Sequence, residues 1–354
     1  MVSATFFSIQ TVTIMIGNQF KYGFVDLSWI LSRNSFAIKG RNETYNAGDI
    51  IKMTIQSLNK FSRDLGLSVD KMIFFRDTWD QEVQGYYRAS MIRQAGGAEY
   101  KGSRVYVTED MLEDIKSDPN STEEDIKKAE EEYYFNKTKS EAKWALIGEL
   151  GRLGIPTVSI YGWEFDDLAT LASFLLSDQD KPNVIITKDS DLIYSTSPGC
   201  YLWQPPLSRS PQKLTSYSEA YANFLPDRFK GRISLYDYFS MQQATGAIGH
   251  NDMNRTIKEG VNPDDAIEQA MNNNFSNFTN KDLFITQYKT FNLQSFPRFD
   301  QACREITENL SVIGKLGSLS DFHEFCDKHD IKGISDRYYS EFINRFDSKL
   351  FSER

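Results

Sequence analysis

The chain has 354 residues, of which 40% are hydrophobic and 25% charged, with a net charge of −9; this is the make-up of a globular protein with one large domain or two ordinary ones. Its three cysteines, Cys200, Cys303 and Cys326, are far apart and odd in number, which argues against a disulfide framework or a zinc site and for a reducing compartment. No apolar run reaches the ~18 residues that a membrane span needs.

The first twenty residues are fairly apolar but carry Thr, Gln and Asn without a basic leading region, and read as a first strand and its lead-in rather than a signal peptide. From about residue 20 to 205, short apolar runs alternate with helical stretches, the pattern of an α/β domain. The runs are Tyr22-Gly23-Phe24-Val25-Asp26, Lys71-Met72-Ile73-Phe74-Phe75-Arg76-Asp77, Ile160-Tyr161-Gly162-Trp163-Glu164-Phe165-Asp166-Asp167 and Val184-Ile185-Ile186-Thr187-Lys188-Asp189-Ser190-Asp191. Ile155 to Ile160 is a further strand candidate leading into Glu164. Between them, Ile50, Ile51, Ile55, Leu58 and Phe61 recur at helical spacing from Gly48 to Asp64, and a second helix is expected from Asp166 to Leu176, with acids in its first turn.

The stretch from about Tyr86 to Lys139 interrupts the alternation and reads as a long, mobile, solvent-exposed insertion with helical segments. Between Val105 and Glu141 it carries twelve acids against five lysines, so the remainder of the chain is only −2. The acidic run is the solvated face of a helix, and the overall acidity leaves room for a basic face elsewhere. After about residue 210 the strand pattern fades into helical, amide-rich sequence.

Each apolar run ends in carboxylates: Asp26; Asp77; Glu164, Asp166 and Asp167; Asp189 and Asp191. If the runs are strands of one parallel sheet, these seven acids converge on one edge. So many carboxylates do not stay ionised together without cations among them. Hard divalent ions such as Mg²⁺ or Mn²⁺ take oxygen ligands, and a pair of them can clamp an in-line displacement at phosphorus. A single E-x-D-D or D-x-D is more often a surface turn; four such pieces in this order point to a metal-dependent phosphoryl-transfer site.

In these pieces the chain resembles the 5′-nuclease (flap endonuclease) family, and within it the bacteriophage 5′→3′ exonucleases also called phage-type RNase H. The matching motifs are Phe24-Val25-Asp26, Phe75-Arg76-Asp77, the E-x-D-D of Glu164 to Asp167 and the D-x-D of Asp189 to Asp191. Glu99-Tyr100-Lys101-Gly102-Ser103-Arg104 is similar to the family's Y-K-G-N-R segment, and Tyr288-Lys289-Thr290-Phe291-Asn292-Leu293 carries a looser similarity. The resemblance implies a PIN-like core at 15–210 with a mostly parallel central sheet flanked by helices, a helical arch inserted at about 86–140, and a mainly helical region at 211–354. It implies Lys101 and Arg104 as catalytic cations at the scissile phosphate, and Tyr86, Tyr87 and Arg88 as nucleic-acid-binding residues. Asp26, Asp77, Glu164 and Asp166 would hold a first ion, Asp189 would bridge, and Asp167 and Asp191 would serve a second.

The pattern breaks where the family has G-D-x-x-D-N. Here the stretch reads Gly246-Ala247-Ile248-Gly249-His250-Asn251, with Ala247 and His250 in the places of two acids. Met253 to Ala266 lacks the glycine-rich turn of a helix-turn-helix, leaving a degenerate one at about 246–272. The second Mg²⁺ is therefore expected to bind weakly, with His250 and Asp252 as further candidate ligands and Mn²⁺ better tolerated by a histidine. The expected function is a metal-dependent hydrolase acting on DNA flaps or RNA primers at branched or nicked duplexes, including RNA–DNA hybrids, in phage replication or repair. It would work in the cytoplasm of the infected cell, in contact with a replication protein and not with a membrane. The alternatives are a nuclease-fold protein that binds branched DNA or a replisome partner without cleaving it, and a PIN-type ribonuclease of single-stranded RNA.

Overall fold

In the computed structural model, the structure describes residues 20–41, 44–75, 107–151, 155, 157–160, 163–206, 210–231, 233–247, 293, 299–311 and 319–333. Six strands form one sheet: β1 (Gly23–Asp26), β2 (Met72–Phe75), β3 (Thr157–Val158), β4 (Asn183–Ile186), β5 (Cys200–Gln204) and β6 (Lys213–Thr215), in the order β3-β2-β1-β4-β5-β6. The first five are parallel, and only β6 pairs antiparallel, with β5.

The strands read as apolar runs because the sheet is buried on both faces, and their two-residue period divides the core in two. Phe24, Ile73, Phe75, Ile185, Cys200 and Leu202 face one side; Val25, Met72, Phe74, Val184, Ile186 and Trp203 face the other. The second side is covered by α1 (Leu27–Lys39), α2 (Ala47–Leu65), the later turns of α4 (Glu123–Leu150) and α9 (Leu319–Lys328). The first is covered by α5 (Phe165–Leu175), α6 (Tyr217–Phe224), α7 (Leu235–Ala247) and α8 (Phe299–Ser311). A short α3 (Glu109–Ser117) lies on α4, joined to it by Lys116 and Glu130 at 2.6 Å.

The α2 helix forms where the apolar spacing predicts it. It is opened by an Asn46–Asp49 capping box and closed by Gly66 at φ 61°, the left-handed conformation that glycine adopts without strain. The acidic stretch resolves into two helices, and α4 runs unbroken from its exposed acidic start to Ala142, Leu146 and Leu150, which are buried against α1 and α2. Its end is fixed by the buried Glu149, which takes a 2.7 Å ion pair from Lys328 at the end of α9.

One strand is shorter than the sequence suggests. Of the described residues from Ile155 to Ile160, Thr157 and Val158 alone join the ladder, although Ile155 and Ile160 are buried. Among the described residues β3 is an edge strand with a partner on one side only, so its apolar residues serve packing rather than pairing. Among the described residues no helix is long and apolar enough to cross a membrane, and the three cysteines are free.

Candidate functional site

The strand order creates the site. From β1 the chain steps outward to β2 and β3, then returns to the other side of β1 for β4 and β5. The order reverses between β1 and β4, and ligands of open α/β sheets bind outside the carboxyl ends of the strands at such a point. Asp26 ends β1, in register with Phe75, the last residue of β2. Asp189 and Asp191 lie just past β4, and Glu164, Asp166 and Asp167 lie past β3.

Each acid is held by local backbone chemistry. Asp26 is the N-cap of α1, its Oδ1 accepting the Trp29 N–H at 2.8 Å. Its Oδ2 accepts a 3.2 Å hydrogen bond from the hydroxyl of Thr187. That same hydroxyl accepts the N–H of Asp189 at 3.2 Å, and Asp189 Oδ1 accepts the N–H of Asp191 at 2.9 Å. Thr187 is fully buried and couples the ends of the two strands at the switch point. The near-isosteric Thr187→Val should cost about 1–3 kcal/mol, because the Asp26 carboxylate loses its buried donor and the Asp189 N–H its acceptor; urea unfolding of the two proteins measures it.

Glu164 is the N-cap of α5, and Asp167 Oδ2 accepts its N–H at 3.1 Å. Phe165, between the acids, is buried against Phe75 at a ring separation of 6.3 Å and so anchors the segment to the end of β2. Hydroxyls tie α5 to the turn at Asp191–Ser195. Thr170 Oγ1 lies 2.7 Å from Ser195 Oγ, Ser173 donates to the Ser195 carbonyl at 2.6 Å, and Ser197 donates to the Ser173 carbonyl at 2.6 Å.

The electrostatics show how closely the acids gather. Burial holds the Asp166 carboxyl well above the ordinary carboxylate range, and the charges of Asp26, Asp167, Asp189 and Glu164 push it further, in that order. Asp191 is raised by burial and then by Asp189, and the Tyr194 phenol by burial and then by Asp191. A cavity of about 150 Å³ opens among these groups, lined by Asp166, Asp167, Asp189 and Asp191 together with Tyr236, Phe239 and Gln243 from α7.

Six of the seven acids singled out in the sequence thus stand at one end of the sheet, and four of them line one cavity. Asp77 lies outside the described residues, as do Lys101, Arg104, Tyr86, Tyr87, Arg88, His250, Asp252 and nearly all of the degenerate helix-turn-helix. The donor set fits a hard divalent cation in kind, being carboxylate oxygens throughout. It is not drawn into a closed cage: among the described residues no three acids, histidines or cysteines are grouped so as to hold an ion. Thr187 and Gln243 escaped the sequence reading. The first looks like an ordinary β-former at the end of a strand, and the second arrives from a helix more than fifty residues later.

Fold and site together define an α/β protein with a carboxylate cluster at the switch point of a mostly parallel sheet. No protein-family model matches the chain, and no curated protein matches it in sequence. Among solved structures, a bacteriophage T5 flap endonuclease in a complex with DNA and metal ions is 16% identical, with a TM-score of 0.46 over 82% of this chain and 99% of that one. The T5 5′-exonuclease with zinc bound is 16% identical, with a TM-score of 0.42 over 87% of this chain and 97% of that one. The catalytic core of Rad2 in complex with DNA is 15% identical, with a TM-score of 0.35 over 92% and 79%. Likenesses of this size carry no argument about activity; the carboxylates have to supply it.

Proposed function

We propose that the chain is a divalent-metal-dependent 5′ nuclease of the flap endonuclease family, with a PIN-like core, that hydrolyses phosphodiesters at branched or nicked duplex DNA or RNA–DNA hybrids. The observation that carries this reading is the convergence of Asp26, Glu164, Asp166, Asp167, Asp189 and Asp191 at the switch point, where four of these charges act on Asp166. The motif resemblance supplies the reaction class. Asp26, Glu164 and Asp166, with Asp77, would hold one ion; Asp167 and Asp191 would serve another, with Asp189 between them. Bound there, such ions acidify the attacking water and stabilise the leaving oxygen.

The chain's own residues do the positioning. Thr187 fixes the rotamer of Asp26 and the backbone of Asp189, and Phe165 holds Glu164 and Asp166 at the edge of the sheet. Lys101 and Arg104 are proposed as the cationic clamps on the scissile phosphate, and Tyr86, Tyr87 and Arg88 as the grip on the terminal nucleotide.

Incubation of the chain with a 5′-flap duplex in Mg²⁺ and then Mn²⁺, with EDTA as control, tests the proposal. Cleavage in at least one metal is expected, and none in either would overturn it. The loose grouping of the acids and the Ala247 substitution favour a second reading, a protein that binds branched DNA without cleaving it. Salt-dependent flap binding with no product in either metal would select that reading.

The charge state of Asp166 gives an independent check. Its folded pKa lies above its unfolded value, so the folded state holds the extra proton. Its contribution to stability is therefore neutral below the unfolded pKa near 3.8, becomes progressively unfavourable as pH rises from there to the folded pKa, and stays constant above it. A bound cation displaces that proton. In EDTA, stability should fall as pH rises above about 4, and the rise in Tm on adding Mn²⁺ should be larger at higher than at acidic pH, as thermal scans would record.

A further inference from the structure

We propose that Gln243 is an oxygen ligand for a divalent ion in the carboxylate cavity, on the side served by Asp167, Asp189 and Asp191; the inference rests on the metal-dependent reading above. The cavity is built from three walls. One is the first turns of α5, with Asp166, Asp167 and Thr170; another is the stretch after β4, with Asp189, Asp191, Leu192 and Ser195; the last is α7. The α7 wall consists of Tyr236, Phe239 and Gln243, spaced three and four residues apart so that they share one helical face.

Two of these three are rings. Tyr236 packs edge-to-face on Phe174 at 6.1 Å, and Phe239 stacks on Tyr194 at 4.9 Å and 19°. They seat the helix against the site. Gln243 is half-buried on the same face, and its carboxamide makes no hydrogen bond to a described residue. Among the described side chains of α7 that line the cavity it carries the one carbonyl oxygen, and the sequence places an alanine at 247, where the side chain has no oxygen.

The chemistry suits a cation already facing four carboxylates. A carboxamide oxygen is an ordinary ligand for hard divalent ions, and being neutral it completes a coordination sphere without adding a fifth negative charge. The sequence takes α7 into this wall for physical reasons: Ser234 caps the helix by accepting the Asp237 N–H at 2.9 Å, and the buried Tyr238 and Ser240 turn inward beside the cavity-lining residues.

The test is calorimetric titration of the full chain with Mn²⁺ alone, for the wild type and for Gln243→Leu, Gln243→Glu and Asp189→Asn, with flap-cleavage kinetics beside it. Gln243→Leu should weaken Mn²⁺ binding by about 10-fold, and Gln243→Glu, which keeps the oxygen and adds charge, should tighten it by about as much. Circular dichroism checks that both variants fold. If Mn²⁺ affinity is unchanged in both variants while Asp189→Asn loses binding, the inference fails and the nuclease reading stands. The same holds if the leucine variant alters only KM for the flap, for Gln243 then touches substrate rather than ion. If the wild type neither binds Mn²⁺ nor cleaves, both fall together.

Discussion

Asp189→Asn should lower metal-dependent cleavage of a 5′-flap duplex by about 10²–10³-fold, the scale found when one electrostatic stabiliser is removed from an active site. The substitution is nearly silent in shape. The Asp189 N–H still reaches the Thr187 hydroxyl, and the new carboxamide oxygen still accepts from the Asp191 N–H. Only the negative charge disappears, and with it part of the field on Asp166. Folding stability should therefore stay within about 0.5 kcal/mol of the wild type, as for a substitution that opens no cavity and orphans no buried group. Single-turnover cleavage beside urea unfolding separates the two quantities. Cleavage at the wild-type rate would remove Asp189 from the machinery.

Phe165→Ala is expected to act in the opposite way, through stability first. Its ring is 2% exposed, packs on Phe75 and belongs to the core that binds α5 to the sheet. Truncating a buried phenylalanine to alanine typically costs about 3–5 kcal/mol, a large share of the 5–15 kcal/mol by which a domain is stable. The same ring stands between Glu164 and Asp166, so its loss also frees the segment that aims them. The variant should unfold at markedly lower urea concentration, and below that transition it should bind Mn²⁺ more weakly than the wild type. Phe165→Leu refills most of the volume and should recover the greater part of both losses.

The strands and their acids were legible because period and position coincide. In Phe24-Val25-Asp26 and in Ile185-Ile186-Thr187, alternate residues face opposite cores, so the polar residue at each strand end marks where the sheet gives way to the site. The start of α5 was legible for a related reason: Glu164, Asp166 and Asp167 are residue types that a first helical turn favours. What escaped was whatever works by position alone. Thr187 fits a strand as well as it fits a relay, and nothing local to Gln243 tells that α7 folds back onto residues far earlier in the chain. The extent of β3 was overstated because apolar composition reports burial, which Ile155 and Ile160 have, and says nothing of ladder pairing, which an edge strand largely lacks.

Asp26 and Glu164 cap helices as well as standing at the site. α1 and α5 both begin at the cluster, so the positive ends of two helix dipoles, each equivalent to about half a positive charge, lie beside its acids. The chain thus supplies some counter-charge of its own, and its fold is expected to persist without metal. If the proposed metal dependence holds, a chelator should silence the molecule without unravelling it, and restoring the cation should restore what was lost: the site would then be a socket in the frame rather than a bolt that holds the frame together.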